Sequence, residues 1–192
     1  MKFGVLCLCV CVCVFLHYTF ICLILYCGTD SNLLVFARAI KDMLVGGIRP
    51  HLYCLPILKA EVHRHALVQA ATSGSPKFFL GTDSAPHATH TKEASCGCAG
   101  VYSAPCCVEL YTQLFDDVGA LDKLEDFCSS FGADHYGIPR STATITLEKT
   151  SWKVPMTYEF GEHTITPLKA GEEVKWAIVR KRGPSICHQG KQ

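Results

Sequence analysis

The sequence predicts an α/β fold built on a parallel sheet, preceded by an apolar N-terminal helix. Three observations carry this. Residues 57–72 repeat apolar side chains at helical spacing. Lys77-Phe-Phe-Leu-Gly-Thr-Asp83 is a short apolar run bounded by turn residues, the pattern of a strand buried on both faces. From Phe3 to Thr29 there is no charged side chain. The chain has 192 residues, too few for a complete eight-fold α/β barrel, which takes about 250. Its 18 basic and 17 acidic residues leave a net charge of +1, without the basic excess that a nucleic-acid surface requires. With 49% apolar and 18% charged residues, the chain as a whole does not have the composition of disorder.

The first 30 residues stand apart. Six of the 13 cysteines lie there, as Cys7, Cys9, Cys11, Cys13, Cys22 and Cys27. An apolar run of about 20 residues is enough to span a bilayer as a helix, and this one exceeds the signal-peptide core of about 7–15. Lys2 precedes it, and Arg38, Lys41 and Arg49 follow, which favours a cytoplasmic or matrix face for the C-terminal side. Three readings stay open: an anchor with membrane contact through residues 3–27, a leader translated from non-coding sequence, and a cleaved signal. The length of the run places the anchor first, and the low-complexity Cys-Val alternation is what speaks for the leader. Residues 31–42 read as a linker.

Residues 43–140 carry the α/β pattern. Gly46 and Gly47 mark a loop, and Pro50 and Pro56 bracket His51-Leu-Tyr-Cys-Leu55, a short strand ending at a ligand face. The helix over 57–72 uses Ile57, Leu58, Val62, Ala66, Leu67, Ala70 and Ala71 and stops at Ser73-Gly-Ser-Pro76. After the strand at 77–83 comes a loop over 84–105, rich in Ser, Gly, Ala, Pro and Cys; loops of this length are usually functional or disordered. Residues 104–118 and 121–131 read as helices, with Val108, Leu110, Leu114, Phe115 and Val118 as the buried stripe and Gly119 and Gly132 as stops. Residues 141–192 form an extension with short strands at Thr144–Leu147 and Glu173–Ile178, a tight turn at Gly171-Glu172, and a solvated basic end at Arg180-Lys-Arg182. Cys54, Cys96, Cys98, Cys106, Cys107, Cys128 and Cys187 are odd in number and irregularly spaced, so reduced, partly buried thiols are expected. Cys96-Gly-Cys98 is one residue short of a zinc knuckle, which leaves a small zinc domain on Cys96, Cys98, Cys106 and Cys107 as a further reading.

The chemistry gathers at Gly81-Thr-Asp-Ser-Ala-Pro-His87. An acidic residue at the C-terminal end of a parallel strand projects onto the face where α/β barrels hold their sites. Asp83 suits metal ligation or general-base work, and His87, across a Pro-containing turn, suits a substrate carboxylate or proton transfer. The alternative is an Asx-type turn at Asp83 and a solvated His87.

Three separated motifs decide between these. Arg49-Pro-His-Leu-Tyr-Cys-Leu-Pro-Ile-Leu-Lys59, Phe79-Leu-Gly-Thr-Asp-Ser-Ala-Pro-His87 and Lys92-Glu-Ala-Ser-Cys-Gly-Cys-Ala-Gly100 resemble the single-chain, zinc-dependent dihydroorotases of the amidohydrolase superfamily. Ser103-Ala-Pro105, Phe131-Gly, Tyr136-Gly-Ile-Pro139 and Ala170-Gly-Glu-Glu-Val-Lys-Trp176 continue the match, and Ser151-Trp-Lys-Val-Pro155 looks most like plant versions. The resemblance covers roughly residues 43–178. It implies the C-terminal part of an amidohydrolase-type TIM barrel and reversible cyclisation of N-carbamoyl-L-aspartate to L-dihydroorotate in pyrimidine synthesis. Asp83 would be a zinc ligand and the general base, and His87 would hold a substrate carboxylate. Leu55 and Ala99 would contact the small-molecule substrate through their backbones, with Pro86–Ala104 as the substrate loop. The family's metal is binuclear zinc, and its members commonly form homodimers. Plant-type likeness implies an intracellular place in a mitochondrion or plastid, although the N-terminus has no Arg- and Ser-rich transit pattern.

The departures concern the metal. The family's first strand carries a His-x-His pair, and no such pair stands on an early strand here. His17 lies in the apolar run without a partner at that spacing. His63 and His65 have the spacing but fall mid-helix, about 200° of rotation apart, and cannot chelate one ion. Asp83 is the one metal ligand the sequence places, whereas a catalytic zinc takes about three. The expectation is therefore a dihydroorotase by descent, inactive as this chain alone. The alternative from a different class is a membrane-tethered, non-catalytic binding protein that reuses a barrel fragment.

Overall fold

The computed structural model describes residues 2–4 and 38–182. Strand β1 (Lys2–Gly4) is followed by short 3-10 turns at Ile40–Met43 and Pro50–Leu52. Four α-helices come next: α1 (Glu61–Ala71), α2 (Thr89–Lys92), α3 (Cys107–Asp117) and α4 (Phe131–Tyr136). Six short strands follow among the described residues: β2 (Thr144–Glu148), β3 (Trp152–Lys153), β4 (Tyr158–Phe160), β5 (His163–Ile165), β6 (Glu173–Val174) and β7 (Ala177–Arg182). β2 pairs antiparallel with β1 on one side and β7 on the other, while β3 pairs with β6 and β4 with β5.

Helix α3 organises the core because its apolar residues fall on one face. Cys107, Leu110, Tyr111 and Phe115 recur at three- and four-residue spacing and are all buried. Phe115 and Tyr111 pack on Phe127 with ring centroids 5.2 and 5.4 Å apart. Removing a side chain such as Phe115 from water contributes about 1.5–3 kcal/mol. Ile145 and Leu147 of β2 turn inward, as strand alternation demands, and join Leu124, Val154, Leu168 and Val174 in the same cluster. The expected stripe is thus right at Leu110 and Phe115 but omits Cys107 and Tyr111; Val118 is half exposed, past the end of α3.

Several boundaries differ from the sequence reading. α1 begins at Glu61 because Ala60 is extended, so Ile57 and Leu58 precede the helix. Pro50–Leu52 is a 3-10 turn and not a strand, since Pro50 at its first position fixes φ there. Residues 77–83 form no strand ladder, with Lys77 in a turn and Asp83 in the left-handed region. Their backbone groups bond elsewhere: Leu80 N–H to the Phe127 carbonyl, and the Gly81 and Thr82 carbonyls to the Tyr111 and Ser103 hydroxyls. Among the described residues parallel pairing is confined to two isolated bridges, Ser84 with Val101 and Tyr102 with Pro167, and the ladders are antiparallel.

Gly119 does stop α3, at φ +70 with its N–H on the Asp116 carbonyl. Gly132 stops nothing. It lies inside α4, where a Cβ would sit 3.3 Å from the Phe79 ring, and the left-handed stop is Gly137 at φ +64. The tail strands at 144–148 and 173–182 are present, the latter broken at Lys175-Trp176, and Arg180–Arg182 continue β7. The apolar run at 3–27 lies outside the described residues except for Phe3 and Gly4, which belong to a strand where a helix was expected. No helix among the described residues is long and apolar enough to cross a membrane.

Candidate substrate-loop site

The site assembles on the segment 84–105, which is structured and not disordered. It contains helix α2 and the bridge of Ser84 with Val101, and the Ala85 N–H bonds the Val101 carbonyl at 3.0 Å. The Ser84 hydroxyl accepts from the N–H groups of Ser103 and Ala104, both at 3.1 Å, which closes the base of the loop.

His87 and Ala99, twelve residues apart, are brought together: His87 Nε2 lies 3.1 Å from the Ala99 carbonyl oxygen. A carbonyl only accepts, so Nε2 carries the proton in this contact. Gly100 has φ +147, and a Cβ there would meet Ala85 Cβ and O at 2.8 Å and His87 Cδ2 at 2.9 Å. Only glycine lets the backbone pass this close to His87. The Gly100 N–H bonds the Tyr53 carbonyl at 3.0 Å, which draws in the segment carrying Leu55. Leu55 is 64% exposed, as an apolar side chain next to an open site would be.

Asp83 closes the group from the strand-like side. Its backbone is left-handed at φ +42 and its side chain is exposed. An Asp tolerates this conformation better than most residues, and outliers of this kind cost on the order of 1–3 kcal/mol and cluster at functional sites. The Asp83 charge is felt at Cys54, the neighbour of Leu55. Burial first, and then Asp83, push the Cys54 thiol up to about 11, against the opposing charges of Lys92 and Lys59. The expected residues Asp83, Leu55, His87 and Ala99 thus lie on three segments joined by these contacts.

Lys92 was not singled out as a site residue from sequence. It is 3% exposed, and its ammonium donates to the carbonyls of Tyr53, Cys98 and Gly100 at 2.9, 2.6 and 2.8 Å. Burial holds its pKa below the ordinary lysine value, partly offset by the neighbouring Cys54 and Cys98. The available signal was that Lys92 is the one Lys or Arg in residues 84–105. His51 adds a second tie, with Nε2 3.0 Å from Glu93 Oε1.

The metal expectations come out differently. Among the described residues no group of three His, Cys, Asp or Glu side chains is placed to hold an ion. The four-cysteine zinc reading fails: Cys106 and Cys107 are buried in the core, where burial pushes Cys106 up to about 12 and Cys107 higher still, while Cys96 is exposed on the loop. Cys96 and Cys98 approach each other at 3.8 Å as free thiols. His63 and His65 do lie on α1, and His65 reaches Glu61 at 3.2 Å.

No family model matches the chain. Its solved structural neighbours set the class. Dihydroorotase from Saccharomyces cerevisiae, solved in complex with 5-fluoroorotic acid, superposes with a TM-score of 0.73 at 33% identity, over 80% of this chain and 43% of that one. Dihydroorotase from Campylobacter jejuni gives 0.65 at 31% identity, over 76% and 41%. D-Hydantoinase from Thermus sp., at 0.55 and 17% identity over 70% and 32%, shares the fold. The chain has an α/β fold of the amidohydrolase type.

Within that class several curated relatives carry the same name. The chain is 62% identical over 138 residues to the dihydroorotases of Teredinibacter turnerae and Stutzerimonas stutzeri, covering 72% of this chain and 40% of each. To the dihydroorotase of Psychromonas ingrahamii it is 59% identical over 146 residues, 76% of this chain and 42% of that one. Over this stretch the chain is a homologue of the dihydroorotases, and it spans about two fifths of the length of these curated relatives.

Proposed function

We propose that this chain carries the substrate-carboxylate loop and the proton-transfer aspartate of a dihydroorotase, the zinc-dependent cyclic amide hydrolase that interconverts N-carbamoyl-L-aspartate and L-dihydroorotate. On this reading the described elements are the C-terminal part of an amidohydrolase-type barrel. The observation that carries the reading is the contact of His87 with the Ala99 carbonyl on a loop held closed from beneath. It supports the reading by joining the imidazole to the Ala99 backbone, while the Gly100 N–H bond to the Tyr53 carbonyl ties in the segment of Leu55.

The roles follow from the groups. Dihydroorotate is an anion, and the His87 imidazole is the side chain of this loop that offers it a hydrogen bond. The backbone groups of Leu55 and Ala99 fix its orientation. Asp83 accepts a proton in one direction of the reaction and returns it in the other, as a general base and acid must. The family's zinc supplies polarisation of the scissile carbonyl when bound; the described residues do not make up its site, so this chain's part is binding and proton transfer.

The test is titration of dihydroorotate into the full 192-residue chain, with turnover measured in parallel. Binding that weakens about tenfold or more in His87→Ala supports the reading. A wild-type chain that does not bind the ligand refutes it. Turnover that disappears in Asp83→Ala would extend the reading to the whole reaction.

A further inference from the structure

We infer that Lys92 is the positioning residue of the substrate loop: its buried ammonium sets the two backbone segments that receive the substrate. This rests on the dihydroorotase reading and deepens it.

The three acceptors are not scattered. The Tyr53 carbonyl lies two residues before Leu55, and the Cys98 and Gly100 carbonyls flank Ala99 on both sides. One cation therefore joins the two stretches proposed to touch the substrate, which are more than forty residues apart in sequence. Peptide planarity carries the effect outward. In a trans peptide the C=O and the following N–H point in opposite directions, so aiming the Cys98 carbonyl at Lys92 turns the Ala99 N–H away from it. Cys98 itself sits at φ +25, a conformation a side-chain-bearing residue adopts only when its surroundings hold it there. The hydrogen bond of 2.6 Å from Lys92 is the shortest of the three and falls on that residue's carbonyl.

No carboxylate neutralises this ammonium among the described residues; the groups that perturb it are burial, Cys54 and Cys98. A lysine kept for packing alone would send its charge to solvent along the flexible stem. Here the charge is inside, 3% exposed, and satisfied by three peptide oxygens. The arrangement also leaves a positive charge beneath a loop that is to receive an anion.

Two variants of the full chain test this. Lys92→Met keeps most of the stem volume and removes the ammonium, and Lys92→Ala leaves a cavity that a small alkylammonium can enter. With dihydroorotate as the probe, both are expected to bind about tenfold or more weakly, because charged hydrogen bonds to buried groups are among the strong ones. Ethylammonium at millimolar concentration is expected to restore binding to Lys92→Ala, and ethanol at the same concentration is not. A merely structural lysine would not distinguish the two additives. Binding by Lys92→Met within twofold of wild type overturns the inference, as does equal rescue by ethanol. Loss of the folded state in both variants, seen by circular dichroism, also overturns it and assigns Lys92 to stability. His87→Ala separates the two levels. If it loses binding while Lys92→Met keeps it, the dihydroorotase reading survives and the positioning role falls; if wild type does not bind, both fall.

Discussion

Tyr111 is the point at which the core reaches the site, and Tyr111→Phe isolates that connection. The ring is fully buried against Phe127, and its hydroxyl donates to the Gly81 carbonyl at 2.9 Å, two residues before Asp83. The substitution keeps the ring and its packing and removes one neutral hydrogen bond. A typical net contribution is about 1 kcal/mol, and leaving the Gly81 oxygen without that donor in a dry setting raises the cost towards about 2. Phe115→Ala in the same cluster removes a whole buried ring and should cost about 3–5 kcal/mol. Urea denaturation of the two variants beside wild type measures the difference, with equal slopes as the check that the unfolded state is unchanged. A Tyr111→Phe midpoint matching wild type would refute the role given to the hydroxyl. A loss as large as that of Phe115→Ala would show that the ring packing had been misjudged.

Gly100→Ala should displace His87, because the new Cβ would lie under 3 Å from Ala85 and from His87 Cδ2; the His87 imidazole resonances should shift and dihydroorotate binding fall about tenfold or more, while Gly119→Ala, with open space around it, should leave the His87 resonances in place. The pH dependence of stability should have two limbs, read as Tm across pH. Glu172 lies below its ordinary value of 4.5: burial pushes it up, but its bonds to Lys169 and Arg38 outweigh that, so its contribution is complete above about 4.5 and lost as pH falls further. Cys54 and Cys106 are pushed by burial from 9.0 up to about 11 and 12, so their contribution is complete below about 9 and lost as pH rises towards those values. A Tm that stays level from pH 9 to 11 would contradict the burial of these thiols.

What the sequence made legible was local. The periodicity of Leu110 and Phe115 located α3, and the alternation over 144–147 located β2. In both, side-chain spacing reports directly on which face is buried. Less legible was every feature fixed by a partner distant in the chain. Gly132 looks like a helix stop, yet it lies inside α4, where the Phe79 ring, more than fifty residues away, comes within 3.3 Å of the position a Cβ would take. The run 77–83 has the composition of a doubly buried strand, but Phe127, Tyr111 and Ser103 take its backbone groups, and none of these is marked in the run itself.

The same division holds within the site. Motif likeness points to Asp83, His87, Leu55 and Ala99, whereas it gives no sign of the side chain that joins the segments of Leu55 and Ala99, because a lysine in a polar loop is ordinarily solvated. Its burial is decided by three carbonyls, and carbonyls carry no sequence signature: any residue at positions 53, 98 and 100 would present one. What restricts those positions is conformation, as in the glycine at 100 and the left-handed backbone at 98. A loop whose chemistry is held by backbone acceptors therefore hides its organising residue from pattern reading. The trace it leaves is indirect, a solitary cation set among small residues that allow the backbone to close around it.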